Sequence, residues 1–146
     1  MTTKRALPGF ETTFFMSVIV DTSVWSLALR RSNPKDSKAV DRFRVEVTQG
    51  NVIMLGPIRQ ELLSGIRDNA VWEALKDKLR AFPDHPIEME DYETAGAWFN
   101  TCRSKGVQGT HTDLLICAVS ARCDFDILTT DNDFQSYSKL LPVRLI

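Results

Sequence analysis

Met16-Ser17-Val18-Ile19-Val20-Asp21-Thr22-Ser23-Val24-Trp25 is the stretch on which the fold turns. Ser17 to Val20 is a short apolar run rich in β-branched residues, which reads as a buried strand. Asp21 ends it, and Thr22 or Ser23 can cap a helix continuing through Val24, Trp25 and Leu29. Two further stretches repeat this pattern. Asn51 to Leu55 reads as a second buried strand, after which Gly56-Pro57 opens a helix with proline in its favoured first turn. Ile127-Leu128-Thr129 reads as another strand and runs into Asp131, where a short helix over 131–137 begins.

Between these units the periodicity is helical. Ser32-Asn33-Pro34 breaks the first helix, and a polar helix follows with Val40, Phe43 and Val47 on one face, ending near Gly50. The helix opened by Pro57 carries Ile58, Leu62 and Ile66, with Glu61 among them. Helices are predicted over about 70–81, over 90–105 with Tyr92, Ala95, Trp98 and Phe99 as apolar points, and over 110–122. The last of these is apolar nearly all round. Residues 82–86 form a break, Ile87 a short strand and Val143 to Ile146 a final strand. Strands alternating with helices predict an α/β fold with a mainly parallel central sheet flanked by helices. Ligands of such sheets bind at the carboxyl ends of the strands.

Composition narrows the class. The 146 residues suit one domain, and 43% hydrophobic with 25% charged residues is the balance of an ordinary globular protein. With 18 basic and 19 acidic side chains the formal net charge is −1, so nucleic-acid binding would need a local basic patch. Three cysteines, Cys102, Cys117 and Cys123, include no C-x-x-C pair, which argues against a disulfide framework or zinc site and fits the cytoplasm. The longest apolar run, Phe14 to Val20, is too short to span a bilayer and carries no cleavage site, so neither a membrane location nor export is expected. Residues 1–15 read as an N-terminal extension, flexible or non-native, and 16–146 as a single domain.

Five carboxylates stand at the ends of core elements: Asp21, Glu61, Asp113, Asp131 and Asp133. Each has an ordinary role available. An aspartate after a strand commonly caps a helix or turns the chain, Asp113 would complement its helix dipole, and a lone glutamate commonly faces solvent. Together they would repel one another and raise each other's pKa. A fold that gathers them needs a counter-cation, and hard oxygen ligands favour magnesium or manganese over zinc.

Val20-Asp21-Thr22-Ser23-Val24-Trp25, Glu61-Leu62-Leu63-Ser64-Gly65, Thr112-Asp113-Leu114-Leu115-Ile116-Cys117-Ala118 and Leu128-Thr129-Thr130-Asp131-Asn132-Asp133-Phe134, in this order, resemble the PIN-domain family. Within it the chain is most similar to the VapC toxins of toxin–antitoxin systems, over 18–146. Cys117 stands where the family often has alanine. The resemblance implies a PIN-like three-layer fold and a metal-dependent endoribonuclease. It would use Mg2+, with Mn2+ as substitute, and hydrolyse phosphodiester bonds of RNA, a structured translation-related RNA such as tRNA being the expected target. Asp21, Asp113 and Asp131 would be metal ligands, Glu61 would complete the catalytic set, and Thr129 and Asp133 would support it. A VapB-like antitoxin and a second copy in a homodimer are the implied partners.

Arg30, Arg31, Lys35, Lys38, Arg59 and Arg67 are candidates for RNA phosphates, and equally for a solvated basic face. His111 reads as a helix-start residue rather than a general base. A phospho-acceptor domain would need an acidic pair before its acceptor strand, and a haloacid-type phosphatase an Asp-x-Asp after the first strand. Neither is present. A PIN nuclease of RNA processing or DNA cleavage remains the alternative within the class, and a non-catalytic binding domain the alternative outside it.

Overall fold

The computed structural model describes residues 16–30 and 37–146. Residues 1–15, the Ser32-Asn33-Pro34 break, Arg31 and Lys35 lie outside the described residues. The elements are β1 (Val18–Val20), α1 (Thr22–Leu29), α2 (Lys38–Thr48), β2 (Val52–Ile53), α3 (Gly56–Leu63), α4 (Asn69–Leu79), α5 (Met89–Ser104), α6 (His111–Cys123), β3 (Asp126–Leu128) and α7 (Asp133–Leu140). The three strands form a parallel sheet in the order β2-β1-β3, so β1 is central. Val18 is opposite Val52 and Asp126, and Val20 is opposite Leu128.

All three β1 side chains are fully buried, as are Ile127 and Leu128, so both faces of the sheet are covered by helices. That explains why these strands read as continuous apolar runs rather than alternating ones. Helix α6 supplies more of the remaining core than any other element, through Leu114, Ile116, Ala118 and Val119 among others, and packs along α5. On the other side Trp25 of α1 meets Phe43 edge-on at 4.7 Å and Phe82 at 5.1 Å.

The structure corrects several boundaries. On α2, Val47 is 39% exposed and Glu46 is buried instead. Its carboxylate accepts from Asn51 Nδ2 and Arg42 Nε, both at 2.8 Å, and these bonds make its burial tolerable. Helix α3 stops at Leu63, because Gly65 turns the chain at φ +84°, which leaves Ile66 outside the helix. Ile87 is not in a strand; the chain near it touches the sheet only through a bridge between Met54 and Asp84. The predicted last strand is reduced to a bridge between Ile127 and Leu145, held by Ile127 N to Arg144 O at 2.9 Å and Ile146 N to Ile127 O at 3.0 Å. Tyr92 is exposed on α5. Helix α7 starts at Asp133 rather than Asp131.

Candidate metal centre

The parallel sheet ends in two aspartate-bearing turns. At the first, Asp21 occupies the N-cap of α1, and its backbone carbonyl accepts from Val24 N at 3.0 Å. Its amide donates to Leu128 O at 2.9 Å, which fixes the end of β1 against β3. The cap was expected at Thr22 or Ser23, and an aspartate there ordinarily bonds the helix amides with its side chain. This one makes no such cap bond. Its carboxylate is 5% exposed, and Oδ2 accepts from Ser23 Oγ at 2.8 Å and Thr129 Oγ1 at 2.9 Å. Two hydroxyl donors satisfy one oxygen of a buried anion.

At the second turn Thr129 links both aspartates. Its hydroxyl donates to Asp21 and accepts from Asp131 N at 3.0 Å, while Thr130 N donates to Ser23 Oγ at 3.1 Å. Asp131 Oδ1 accepts from Asp133 N at 2.9 Å, a local turn that places both carboxylates at the start of α7. Asp131 therefore does fill the ordinary turn role as well.

Asp113 enters from the first turn of α6, whose N-cap Thr110 accepts from Asp113 N at 3.1 Å. Asp113 Oδ2 accepts from the phenol of Tyr137 on α7 at 2.9 Å. Burial pushes the Asp113 carboxyl up to about 6, and the charges of Asp21 and Asp131 add to the rise, against the opposing bonds from Tyr137 and Thr110. Burial and the bond to Asp113 also push the Tyr137 phenol up, keeping it protonated and donating.

One carboxylate oxygen from each of Asp113, Asp131 and Asp133 lies within 4.8 Å of the other two. Among the described residues no other set of three His, Cys, Asp or Glu side chains converges in this way. Asp21, an expected ligand, lies outside this group; it is linked to the Asp131 amide through the Thr129 hydroxyl, and its charge acts on Asp113. Glu61 is exposed on α3 and accepts from Thr22 Oγ1 at 3.1 Å, so it is tied to the α1 start at the rim. Three convergent carboxylates are a hard, all-oxygen donor set, which suits a small divalent cation such as Mg2+ or Mn2+.

A family model described as "PIN domain" matches residues 18–140. The chain belongs to the PIN domain family. A comparison with curated protein sequences returns no match. Among solved structures, this PIN domain resembles FitAcB from Neisseria gonorrhoeae with a TM-score of 0.68 at 16% identity, over 88% of this chain and 96% of that one. It also resembles VapBC2 from Rickettsia felis, bound to a DNA fragment from their promoter, with a TM-score of 0.67 at 16% identity, over 90% of this chain and 98% of that one. A structure of FitAB bound to an IR36 DNA fragment gives a TM-score of 0.67 at 16% identity, over 88% and 93%. At that identity the likeness establishes a shared fold.

The other sequence candidates serve elsewhere in the PIN domain. Arg59 is committed to structure: Nε donates to Asp84 Oδ1 at 2.9 Å, and its guanidinium also bonds the carbonyls of Leu79 and Phe82. Arg30, Lys38 and Arg67 are exposed. His111 begins α6 with its ring 5.2 Å from that of Phe99. Cys102 and Cys117 are buried, and burial pushes both thiols up, so they are small neutral core groups. No described helix is long and apolar enough to cross a membrane. Sequence reasoning missed Tyr137 and treated Ser23 only as a cap. The available signal for Tyr137 was its position four residues after Asp133, one helical turn along α7.

Proposed function

We propose that this PIN domain is a Mg2+-dependent endoribonuclease, with Mn2+ as substitute, and the toxin component of a toxin–antitoxin system. The observation that carries the reading is the convergence of Asp113, Asp131 and Asp133, backed by buried Asp21, at the carboxyl end of the parallel sheet. Asp21, Asp113 and Asp131 are assigned as principal cation ligands, with Asp133 supporting them. Glu61 completes the catalytic set from the rim, and Thr129 orients Asp21 against Asp131. A divalent cation held there would supply an activated water and offset charge on the phosphate and the leaving oxygen. The side chains themselves present negative oxygens fixed by hydroxyl donors. Hydrolysis leaving a 5′-phosphate and a 3′-hydroxyl on RNA, tRNA-like targets in particular, is the activity this arrangement fits.

The toxin role draws support from the fold likeness to VapBC2 and FitAB, complexes with DNA in those structures. By that likeness a small VapB-like, DNA-binding antitoxin and a second copy of this chain are the proposed partners, acting in the cytoplasm. The test is expression of the chain alone. The wild type is expected to arrest growth and to cut RNA faster than DNA of matched sequence, while Asp21→Asn does neither. Equal toxicity of the two proteins would refute the toxin reading. Preferential cutting of DNA would favour the alternative nuclease role.

A further inference from the structure

We propose that Tyr137 is a positioning residue that holds Asp113 in one-oxygen readiness for a cation and so selects Mg2+ or Mn2+ over Ca2+. The proposal rests on the reading of the aspartate cluster as the cation site. Tyr137 is fully buried, one turn past Asp133 on α7, and packs edge-on against Phe134 at 5.2 Å. Its phenol donates to Asp113 Oδ2 at 2.9 Å. A phenylalanine would fill the same space, so the hydroxyl is retained against the cost of burying a polar group that needs a partner. At Gly109 an added Cβ would lie 2.2 Å from Leu114 Cδ2, a clash, and 3.6 Å from Tyr137 Cε1, an ordinary contact, so the Leu114 side chain beside the Tyr137 ring would have to shift.

A donor on Oδ2 has a specific chemical consequence. The Tyr137 bond engages one lone pair of Oδ2 and draws charge from that oxygen, so Asp113 binds a cation more strongly through Oδ1 alone than through both oxygens. Mg2+ is small, requires near-octahedral geometry and keeps several waters, so one-oxygen carboxylate contacts suit it. Ca2+ accepts six to eight ligands and takes carboxylates through both oxygens. The hydroxyl therefore favours the smaller ions twice: it fixes the carboxylate plane, and it weakens the second oxygen as a ligand. Hydrogen-bond partners behind metal ligands typically change metal affinity by about ten- to a hundredfold.

The experiment is calorimetric titration of the full chain with MnCl2 and, separately, CaCl2, comparing wild type with Tyr137→Phe. The expected result is about tenfold or greater weakening of Mn2+ binding, with Ca2+ binding unchanged or tighter. An unchanged Mn2+ to Ca2+ affinity ratio, whether both constants fall or neither does, would overturn the role of Tyr137. A wild type that binds no Mn2+ would overturn the cation site itself and the proposal with it. Should the variant fail to fold, the wild type answers the question through fluorotyrosine. The chain has two tyrosines, and Tyr92 is exposed while Tyr137 is buried, so two 19F resonances are distinguishable. Mg2+ is expected to shift the Tyr137 resonance and leave that of Tyr92 in place. A stationary Tyr137 resonance at saturating Mg2+ would refute the coupling.

Discussion

Replacing Asp113 by asparagine should make the cation-free protein more stable at neutral pH, although it removes a residue from the centre of the proposed site. In the folded chain the Asp113 carboxyl sits at about 6 against an ordinary 3.8, first because of burial and then because of the charges on Asp21 and Asp131. A raised folded value means that the folded state binds the proton more tightly. The term therefore lowers stability as pH climbs from about 4 to 6, and the full cost remains above that window. The rise corresponds to about 3 kcal/mol. Solvent screening at this partly exposed carboxyl reduces it to roughly 1.5–2 kcal/mol. For a domain of this size that is a gain of roughly 3–8 °C in melting temperature. Asparagine keeps an oxygen that can accept from Tyr137, so the bond across α6 and α7 survives. The assay is a thermal melt of both proteins in chelator at pH 7.5 and at pH 4. The variant should melt higher at pH 7.5, and the advantage should vanish at pH 4, where the wild-type carboxyl is already protonated. Added Mg2+ should raise the wild type and leave the variant nearly unmoved. A variant that melts lower at pH 7.5, by the same margin as at pH 4, would refute the crowding of charge on which the site rests.

Three further outcomes follow from the same geometry. Asp91 is 1% exposed and held by Arg122 Nε at 2.7 Å and Nη2 at 2.8 Å. Burial alone would raise its carboxyl, but Arg122 holds it below the ordinary value. Arg122→Ala should cost about 3 kcal/mol at pH 7 in a denaturant titration, and the deficit should shrink as pH falls below the ordinary carboxyl value of 3.8 and through the lower folded value of Asp91. Gly109→Ala should cost about 1–3 kcal/mol through the clash with Leu114, measured by the same titration. In single-turnover cleavage assays Asp131→Asn should lose at least a hundredfold in rate, about 3 kcal/mol of barrier. Glu61→Gln, altered at the exposed rim, should lose less, and the reverse order would exchange their roles.

What could be read in the sequence follows from burial. β1 lies under helices on both faces, so it stands out as an unbroken apolar run, and Asp21 directly after it marks the carboxyl end of the sheet; β3 carries the same signal only in Ile127 and Leu128, because its first residue is the buried Asp126. Helix α6 was legible for the same reason. Glu46 was not, because its burial depends on Asn51 and Arg42, bonds that no periodicity shows. Residues 143–146 look like a strand, yet only Leu145 bridges to β3. The early end of α3 was visible in principle at Gly65, but Ile66 sits at helical spacing and extends the apparent pattern. Within the site, Asp21 and Asp131 are legible from their adjacency to strands, whereas Thr129 is legible only through the resemblance to PIN domains. Tyr137 was not, since its meaning lies in one hydroxyl that meets Asp113 across two helices.

The central claim is that this acidic end of the PIN domain hydrolyses RNA with a divalent cation. The most direct measurement incubates the purified chain with total RNA, in Mg2+ and in chelator, and sequences newly formed 5′-phosphate ends. Discrete 5′-phosphate ends are expected in Mg2+, with recovery of activity in Mn2+ and none in chelator or with Asp113→Asn. Ends that persist in chelator, or that Asp113→Asn produces at the wild-type rate, would contradict it.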